Sequence, residues 1–183
     1  MTKTSDAQIV EAARQIIIGQ GIDQLTQRGL AAAVGIKAPS LYKRFADQAA
    51  LLRAVRGQAL ADLEARLRRA AGDQPPAPAA LRMANAFRAY ALEAPGLYRL
   101  IFDAALQDPE RTLERAALAP FEAALAPLAG GGQGASSAHA MLALLHGLVR
   151  LEIDGAAPMA GPHDEAFRFA IYALLQGIAR SAG

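Results

Sequence analysis

The residues best suited to chemistry lie close together, on a short segment that begins at Pro39. Lys43 and Arg44 carry positive charge, and Ser40 and Tyr42 carry hydroxyl groups that donate and accept hydrogen bonds. Cations of this kind pair with phosphate oxygens, and an arginine can also bind a guanine edge through two hydrogen bonds. Proline is well accommodated in a first helical turn, so we expect a short helix that presents these four side chains.

A second short helix is predicted immediately upstream, from about Gln27 to Val34, with Thr26 as its N-cap. Gly35 follows it and supplies the backbone freedom of a sharp turn, while the small side chain of Ala31 permits close helix packing. Two helices in this arrangement form a helix-turn-helix, whose second helix enters the DNA major groove. The apolar residues spaced to fill the core between the two helices are Leu30, Val34, Ile36 and Leu41.

The segment 35–52 resembles the signature of the TetR family of bacterial transcriptional repressors, from the turn through the recognition helix into the next helix. Thr26 stands where that family caps its second helix. The chain departs from the family pattern at Gln48, where a lysine is common, and at Arg44, where a histidine or tyrosine is frequent. The specific match covers roughly residues 9–56, and the remainder resembles the family in its helical layout.

The resemblance also implies which residues contact DNA. Thr26, Gln27 and Tyr42 would contact phosphates, and Lys43 would serve a phosphate or a base. Phosphate contacts position the protein, whereas base-edge contacts carry sequence information. The residues implied near base edges are Arg28, Ala38, Pro39, Ser40 and Arg44, with Lys37 as a further cation of this surface. The alternative is that these charges merely solvate a helical surface.

Charge is distributed unevenly along the chain. Residues 1–70 contain eleven Lys or Arg and six Asp or Glu, whereas residues 71–183 contain eight and eleven. A basic amino-terminal part joined to an acidic remainder suits a DNA-binding domain attached to a domain with another task.

Composition argues against an enzyme. Cysteine is absent, which excludes disulfides and thiolate chemistry and fits a reducing cytoplasm. The sequence contains no Glu-x-x-His, His-Glu-x-x-His or Gly-x-Ser-x-Gly pattern. Its histidines, at positions 139, 146 and 163, are too scattered to suggest a metal site. We therefore expect no catalytic residue, no metal and no cofactor.

The segment 123–149 lacks Lys, Arg, Asp and Glu and must be considered as a membrane helix. Pro127 and the glycine-rich stretch 130–134 interrupt it, which leaves about a dozen apolar residues where a span needs about 20. Early polar residues also argue against a secretory signal. We expect a buried helix here, no membrane association and a cytoplasmic location.

Apolar residues make up 53% of the chain and are mostly Ala and Leu, and no strand pattern competes with the helical ones. We predict an all-α protein: a three-helix helix-turn-helix domain over residues 1–50, a connector helix over about 47–70, and a helical domain over 71–183. The clearest break is the segment 72–78, which is rich in Gly and Pro. Helices are predicted near residues 5–18, 27–34, 39–45, 47–70, 79–93, 96–106, 109–128, 136–153 and 164–181.

A small-molecule pocket is expected in the carboxy-terminal domain, because such sites combine apolar walls with a few polar groups. The candidate lining residues are Phe87, Tyr90, Tyr98, Phe102, Phe121, Met141 and His146. Plain core packing is the competing interpretation for each of them. The segment 89–102, together with 146–148, is similar to a regulatory-domain subtype named for a Trp, His and Gly trio, although this chain has no Trp.

Of the last two predicted helices, the one at 136–153 is apolar on more than one face and must be covered on more than one side. Both stripes can lie within the monomer, or one can face a second copy of the chain in a four-helix interface. The family resemblance, in which these helices dimerise, favours the dimer. The residues assigned to that interface are Leu142, Leu145, Val149, Phe167, Ile171, Leu174 and Ile178.

These patterns together predict a homodimeric repressor that binds a palindromic DNA operator and is released by a small apolar ligand. The half-sites would lie about one helical turn apart. Two rivals remain: a DNA-binding module whose second domain only dimerises, and a helical interaction protein that binds no DNA. An enzyme is a more distant third alternative.

Overall fold

The computed structural model describes residues 4–107, 110–130, 132–155 and 163–181, except for the side chain of Tyr42. Within these ranges all regular structure is helical, which confirms the all-α prediction. The α-helices are α1 Asp6–Gln20, α2 Gln27–Ala33, α3 Ala38–Tyr42, α4 Gln48–Ala71, α5 Pro76–Glu93, α6 Pro95–Ile101, α7 Thr112–Ala129, α8 Gly134–Ile153 and α9 His163–Arg180. Short 3-10 turns occur at Ile22–Gln24 and Ala104–Leu106.

Helix α1 has well-defined ends. Its capping box joins Ser5 and Gln8: the Gln8 amide donates to Ser5 Oγ at 3.2 Å, and the Ser5 amide donates to Gln8 Oε1 at 2.8 Å. Gly21 ends the helix at a φ of +91°, where its amide donates to the Ile17 carbonyl at 3.0 Å. The backbone at both ends of α1 is therefore fixed by local hydrogen bonds.

Two compact units divide the chain, and the first consists of Met1–Ala61 together with Ala94–Thr112. Its core joins α1 to α6: Ile9, Ile17 and Leu97 are 0–1% exposed and belong to one apolar cluster. A Cβ on Gly96 would lie 3.0 Å from both the Cγ2 atom and the carbonyl oxygen of Ile17. The absence of a side chain at Gly96 thus permits the close approach of α6 to α1.

This division differs from the domain boundary expected at residue 71. Residues 94–112 belong to the first unit, because their apolar side chains complete the core of the amino-terminal helices. Arg56 of α4 adds a polar link inside this unit. Only 2% of Arg56 is exposed, and its Nε donates to the carbonyl of Ile101, the last residue of α6, at 2.9 Å.

The second unit consists of Asp62–Glu93 and Leu113–Gly183, with α5, α8 and α9 packed against one another. Arg88 of α5 joins the end of α8 to the start of α9. Its Nε and Nη2 donate to the two carboxylate oxygens of Glu152 at 2.8 and 2.7 Å, and its Nη1 lies 2.6 Å from Asp164 Oδ1. The guanidinium also lies 4.9 Å from the centre of the Phe167 ring. The hydrogen bond to Glu152 raises the pKa of Arg88 above its usual value.

Most predicted helices occur within a few residues of their expected ends, but the sixth is shorter. It ends at Ile101 rather than near residue 106, because the Asp103 side chain caps a separate 3-10 turn by accepting from the Ala105 amide at 2.9 Å. Helix α5 begins at Pro76 instead of residue 79. Prolines are tolerated in a first turn, where their missing N–H groups have no helical partner to lose.

Candidate nucleic-acid interface

The turn between α2 and α3 begins with a capped helix. Thr26 Oγ1 accepts a hydrogen bond from the Gly29 amide at 3.1 Å. A Cβ on Gly29 would lie 2.9 Å from that same Oγ1 atom. Glycine inside this helix therefore has a local explanation, since any side chain at position 29 would crowd the cap.

Helix α2 ends in a turn that needs left-handed backbone. Gly35 has a φ of +68°, which costs little only for glycine. The next amide, that of Ile36, donates to the Ala31 carbonyl at 3.0 Å. Leu30, Ala31 and Leu41 are 0–5% exposed, so the small core predicted between α2 and α3 is present.

Helix α3 buries one face and exposes the other. Leu41 packs into the core, while Pro39 and Ser40 are exposed. The chain leaves α3 through tight turns, in which the amides of Arg44 and Phe45 both donate to the Leu41 carbonyl at 2.9 Å. This short helix thus presents Pro39 and the hydroxyl group of Ser40 on its outer face.

Most residues predicted to contact DNA are accessible. Gln27, Ala38 and Arg44 are partly buried, and the side chain of Tyr42 lies outside the described residues. The exposed members of the set are Thr26, Arg28, Lys37, Pro39, Ser40 and Lys43. All of them belong to α2, α3 or the residues that flank these helices.

Two acidic residues lie near this surface. Asp6, at the start of α1, pairs with Arg44. Asp47 caps α4, since its Oδ1 atom accepts a hydrogen bond from the Ala50 amide at 2.6 Å. The same oxygen lies 3.9 Å from Arg53 Nη2. The Asp47 cap has the sequence signal of an acidic residue just before a helix. The contact between Asp6 and Arg44 spans 38 positions and leaves no local signal.

The predicted pocket residues fall into both units. Tyr98 and Phe102 belong to the first unit, where their ring centres lie 5.1 Å apart. In the second unit Phe87, Tyr90, Phe121 and Met141 are 0–4% exposed, and His146 is half-buried. Burial, and then the positive charge of Arg150, lowers the pKa of His146 below its usual value of 6.5.

An open cleft of about 350 Å³ also occurs in the second unit, where α4 ends, α5 begins and α7 passes. Its walls are mostly alanine and proline, and its polar side chains are those of Arg68 and Gln74. None of the predicted pocket residues lines it. Its volume is within the usual range for small-molecule sites.

Most residues assigned to the predicted dimer interface are buried within the single chain. Leu145, Val149, Phe167, Ile171 and Ile178 are only 0–6% exposed in the single chain, because they form the core between α8, α9 and their neighbours. Side chains buried in this way have no surface to offer a second copy. Of the original set, only Leu142 and Leu174 are partly exposed.

The other face of these helices is apolar and accessible. The exposed fraction is 44% for Leu151, 76% for Phe169 and 53% for Tyr172. A Cβ on Gly147 or Gly177 would meet no atom within 4 Å. On α8 the buried Val149 therefore lies on the core side, whereas Leu151 faces outward.

Two kinds of feature are absent from the described residues. No helix in these ranges is both long and apolar enough to cross a membrane. Among the same residues, no group of His, Asp and Glu is arranged to hold a metal ion.

Comparisons with known proteins agree with this architecture. Residues 9–55 match the family described as bacterial regulatory proteins, tetR family. Residues 80–174 match the family described as tetracyclin repressor-like, C-terminal domain. An uncharacterized HTH-type transcriptional regulator of Mycobacterium tuberculosis is 37% identical over 157 residues, which cover 84% of this chain and 72% of the relative.

Solved structures share the fold. A protein of unknown function from Rhodococcus sp. RHA1 aligns with a TM-score of 0.81 at 22% identity, over 97% of each chain. A possible TetR family transcriptional regulator from Streptomyces coelicolor gives 0.73 at 21% identity, over 96% of this chain and 99% of that one. A TetR variant from Acinetobacter baumannii in complex with minocycline gives 0.73 at 21% identity, over 99% of each chain.

An exposed helix-turn-helix with these relatives defines a DNA-binding transcriptional regulator and not an enzyme. The chain belongs to the TetR family, whose two domain descriptions match its amino-terminal and carboxy-terminal parts.

Proposed function

We propose that this regulator is a repressor that binds a palindromic operator as a homodimer and is released by a small apolar ligand. The observation that carries the DNA-binding part is the exposed face of α3, with Ser40, Lys37 and Lys43 accessible to solvent. A helix of this kind fits the major groove, where side chains reach base edges and phosphates.

Selection of bound sequences from a random duplex pool tests this proposal. If two helix-turn-helix domains bind with two-fold symmetry, the selected sequences should be palindromic, with half-sites about one helical turn apart. Recovery of no common sequence, or of a single asymmetric half-site, would contradict the palindromic operator.

The contacts themselves are tested by paired substitutions. Lys43→Gln should weaken binding to the selected duplex and make its salt dependence shallower by about one released cation. Arg69→Gln is the matched control, since Arg69 is an exposed cation of the second unit. Equal effects of the two substitutions would mean that overall charge, and not a local contact, determines affinity.

The dimer interface in this proposal is the outward face of α8 and α9, formed by Leu151, Phe169 and Tyr172. Exposed aromatic groups of this size are typical of interface centres. Gly147 and Gly177 have open space above them, and so allow a second pair of helices to approach closely.

Leu151→Asp should convert the dimer to a monomer, because a charge would be buried at the interface centre. Leu113→Asp is the matched control: its position on α7 is 45% exposed, against 44% for Leu151. Sedimentation at several concentrations measures the mass. A dimer that survives Leu151→Asp as well as Leu113→Asp would place the interface elsewhere.

The ligand part rests on the buried aromatic residues of the second unit and on the minocycline complex of a protein with the same fold. Such a ligand releases the operator only if it binds one conformation more tightly than the other. Helix α4 offers the covalent path, since residues 48–61 belong to the first unit and 62–71 to the second. Arg56 fastens that helix to α6 within the first unit.

A compound panel tested by thermal shift identifies a ligand, and operator binding is then measured with that ligand at saturation. Lower operator affinity is expected, and unchanged affinity would contradict release by the ligand. His146→Gln and Arg68→Gln locate the site. Loss of the thermal shift in the first variant favours the aromatic core, whereas loss in the second favours the open cleft.

A further inference from the structure

A carboxylate lies within the basic surface around α3. Asp6, the first residue of α1, accepts a hydrogen bond from Arg44 Nη1 at 2.5 Å. The side chain of Arg44 is 22% exposed and that of Asp6 is 65% exposed. The pair is therefore accessible from one side, although its two members are 38 positions apart in the sequence.

Both partners are held by ordered backbone. The capping box of Ser5 and Gln8 fixes the start of α1, and with it the position of Asp6. Arg44 directly follows α3, and its amide donates to the Leu41 carbonyl at 2.9 Å. The contact is thus a feature of how α1 packs beside the turn, and not a meeting of two loose chain ends.

Arg44 differs in this respect from the other cations of the surface. Arg28, Lys37 and Lys43 are exposed, and within the described residues no ion pair involves them. Asp6 thus neutralises one of the four positive charges of the surface that is predicted to contact DNA. Exposed ion pairs of this kind are weak, so a phosphate group can replace the carboxylate.

We propose that Asp6 limits the affinity of this regulator for DNA by holding Arg44 and cancelling its charge. The inference rests on the proposed DNA binding and on the DNA contact that the family resemblance implies for Arg44. Non-specific affinity for DNA is almost entirely electrostatic and grows with the number of phosphates that protein cations neutralise. A cation that must give up an internal partner gains less from a phosphate than a free cation does, so Asp6 lowers the affinity for any duplex.

The test uses the full chain, Asp6→Asn, and a fluorescent random-sequence duplex of about 30 base pairs, which spans about three helical turns. Binding is measured by anisotropy between about 50 and 200 mM salt. Affinity at the lowest salt should rise about threefold to tenfold, and the slope of log K against log salt should become steeper by about 0.9. Asp73→Asn, at an exposed position of the second unit, makes the same change in net charge and should alter neither quantity.

Arg44→Gln and the double variant decide whether Asp6 acts through Arg44. Arg44→Gln alone should weaken binding, and the gain from Asp6→Asn should disappear in the Arg44→Gln background. Should Asp6→Asn not fold, as judged by its melting curve, Asp6→Gln makes the same change in charge. A gain in affinity from Asp6→Asn that occurs only while Arg44 is present supports the inference directly.

Three results would overturn it. If Arg44→Gln weakens binding but Asp6→Asn leaves it unchanged or weakens it, Asp6 does not restrain Arg44, and the proposed DNA contact survives. If Asp6→Asn raises affinity equally in both backgrounds, Asp6 acts by repelling phosphates without Arg44. If Arg44→Gln binds as tightly as the wild type, the proposed role of Arg44 in DNA binding fails first, and the inference fails with it.

Discussion

Arg88 offers a quantitative test of how the second unit is held together. Replacement by leucine keeps much of the apolar stem and removes the guanidinium that joins α5 to α8 and α9. It leaves Glu152, whose side chain is only 18% exposed, without its bidentate partner. It also removes the contacts with Asp164 and with the ring of Phe167.

The cost follows from the exposure of each contact. Loss of a partner from a largely buried charge pair costs 3–5 kcal/mol, and the partial exposure here reduces that to about 2 kcal/mol. The bond to Asp164, which is 72% exposed, adds little, and the cation–π contact adds about 0.5–1 kcal/mol. Arg88→Leu should therefore lower the free energy of unfolding by about 3 kcal/mol. In a chain of this length that corresponds to a fall in Tm of about 6–12 °C.

Calorimetry at neutral pH measures the change. Arg82→Leu, at an exposed position on the same helix, is the control and should change the free energy of unfolding by less than about 0.5 kcal/mol. Adding Glu152→Leu to Arg88→Leu should restore part of the loss, because the unpaired carboxylate is then gone. Tm values for the Arg88 and Arg82 variants within about 1 °C of each other would refute the reasoning.

One further substitution tests each unit: Gly96→Ala in the first and His146→Gln in the second. Gly96→Ala should destabilise the protein by about 1–3 kcal/mol, because its Cβ would lie 3.0 Å from a backbone oxygen of α1. The control Gly19→Ala has open space around its Cβ and should stabilise the protein by up to about 1 kcal/mol. Equal Tm shifts in the two variants would contradict the close approach of α6 to α1. Because burial favours neutral His146, its contribution to stability is present above pH 6.5 and lost as the pH falls below it. Between about pH 7.5 and pH 5.5, the Tm of His146→Gln should therefore fall by less than the Tm of the wild type. The control His139→Gln, at an exposed position, should show the same fall in Tm as the wild type. An equal fall in all three proteins would show that His146 does not titrate in this way.

The helix-turn-helix was predictable because its signals are local. Thr26 as a cap, Gly35 in the turn and Pro39 in the first turn of α3 each act within a few residues of their own position. Their physical causes, hydrogen bonding and backbone sterics, need no knowledge of the rest of the fold.

The periodicity of apolar residues did not show which helix face lies in the core of the chain. A helix with two apolar faces shows that both are covered, but it does not say which one meets the chain's own core. Val149 and Leu151 are both apolar residues of α8, yet the first is fully buried and the second is 44% exposed. Local patterns also do not show which distant segments pack together. For this reason residues 94–112 were expected in the second domain, and the pairing of Asp6 with Arg44 was not predicted.

The return of the chain to the first unit has a consequence for folding and for protein engineering. Leu97, Leu100 and Leu106 complete the apolar cluster that begins with Ile9 and Ile17. During synthesis, the amino-terminal helices therefore emerge well before the residues that seal their interior. A fragment that ends near residue 71 would expose part of this apolar cluster to solvent. A chimera that takes its DNA-binding helices from another regulator must therefore also take that regulator's counterpart of residues 94–112.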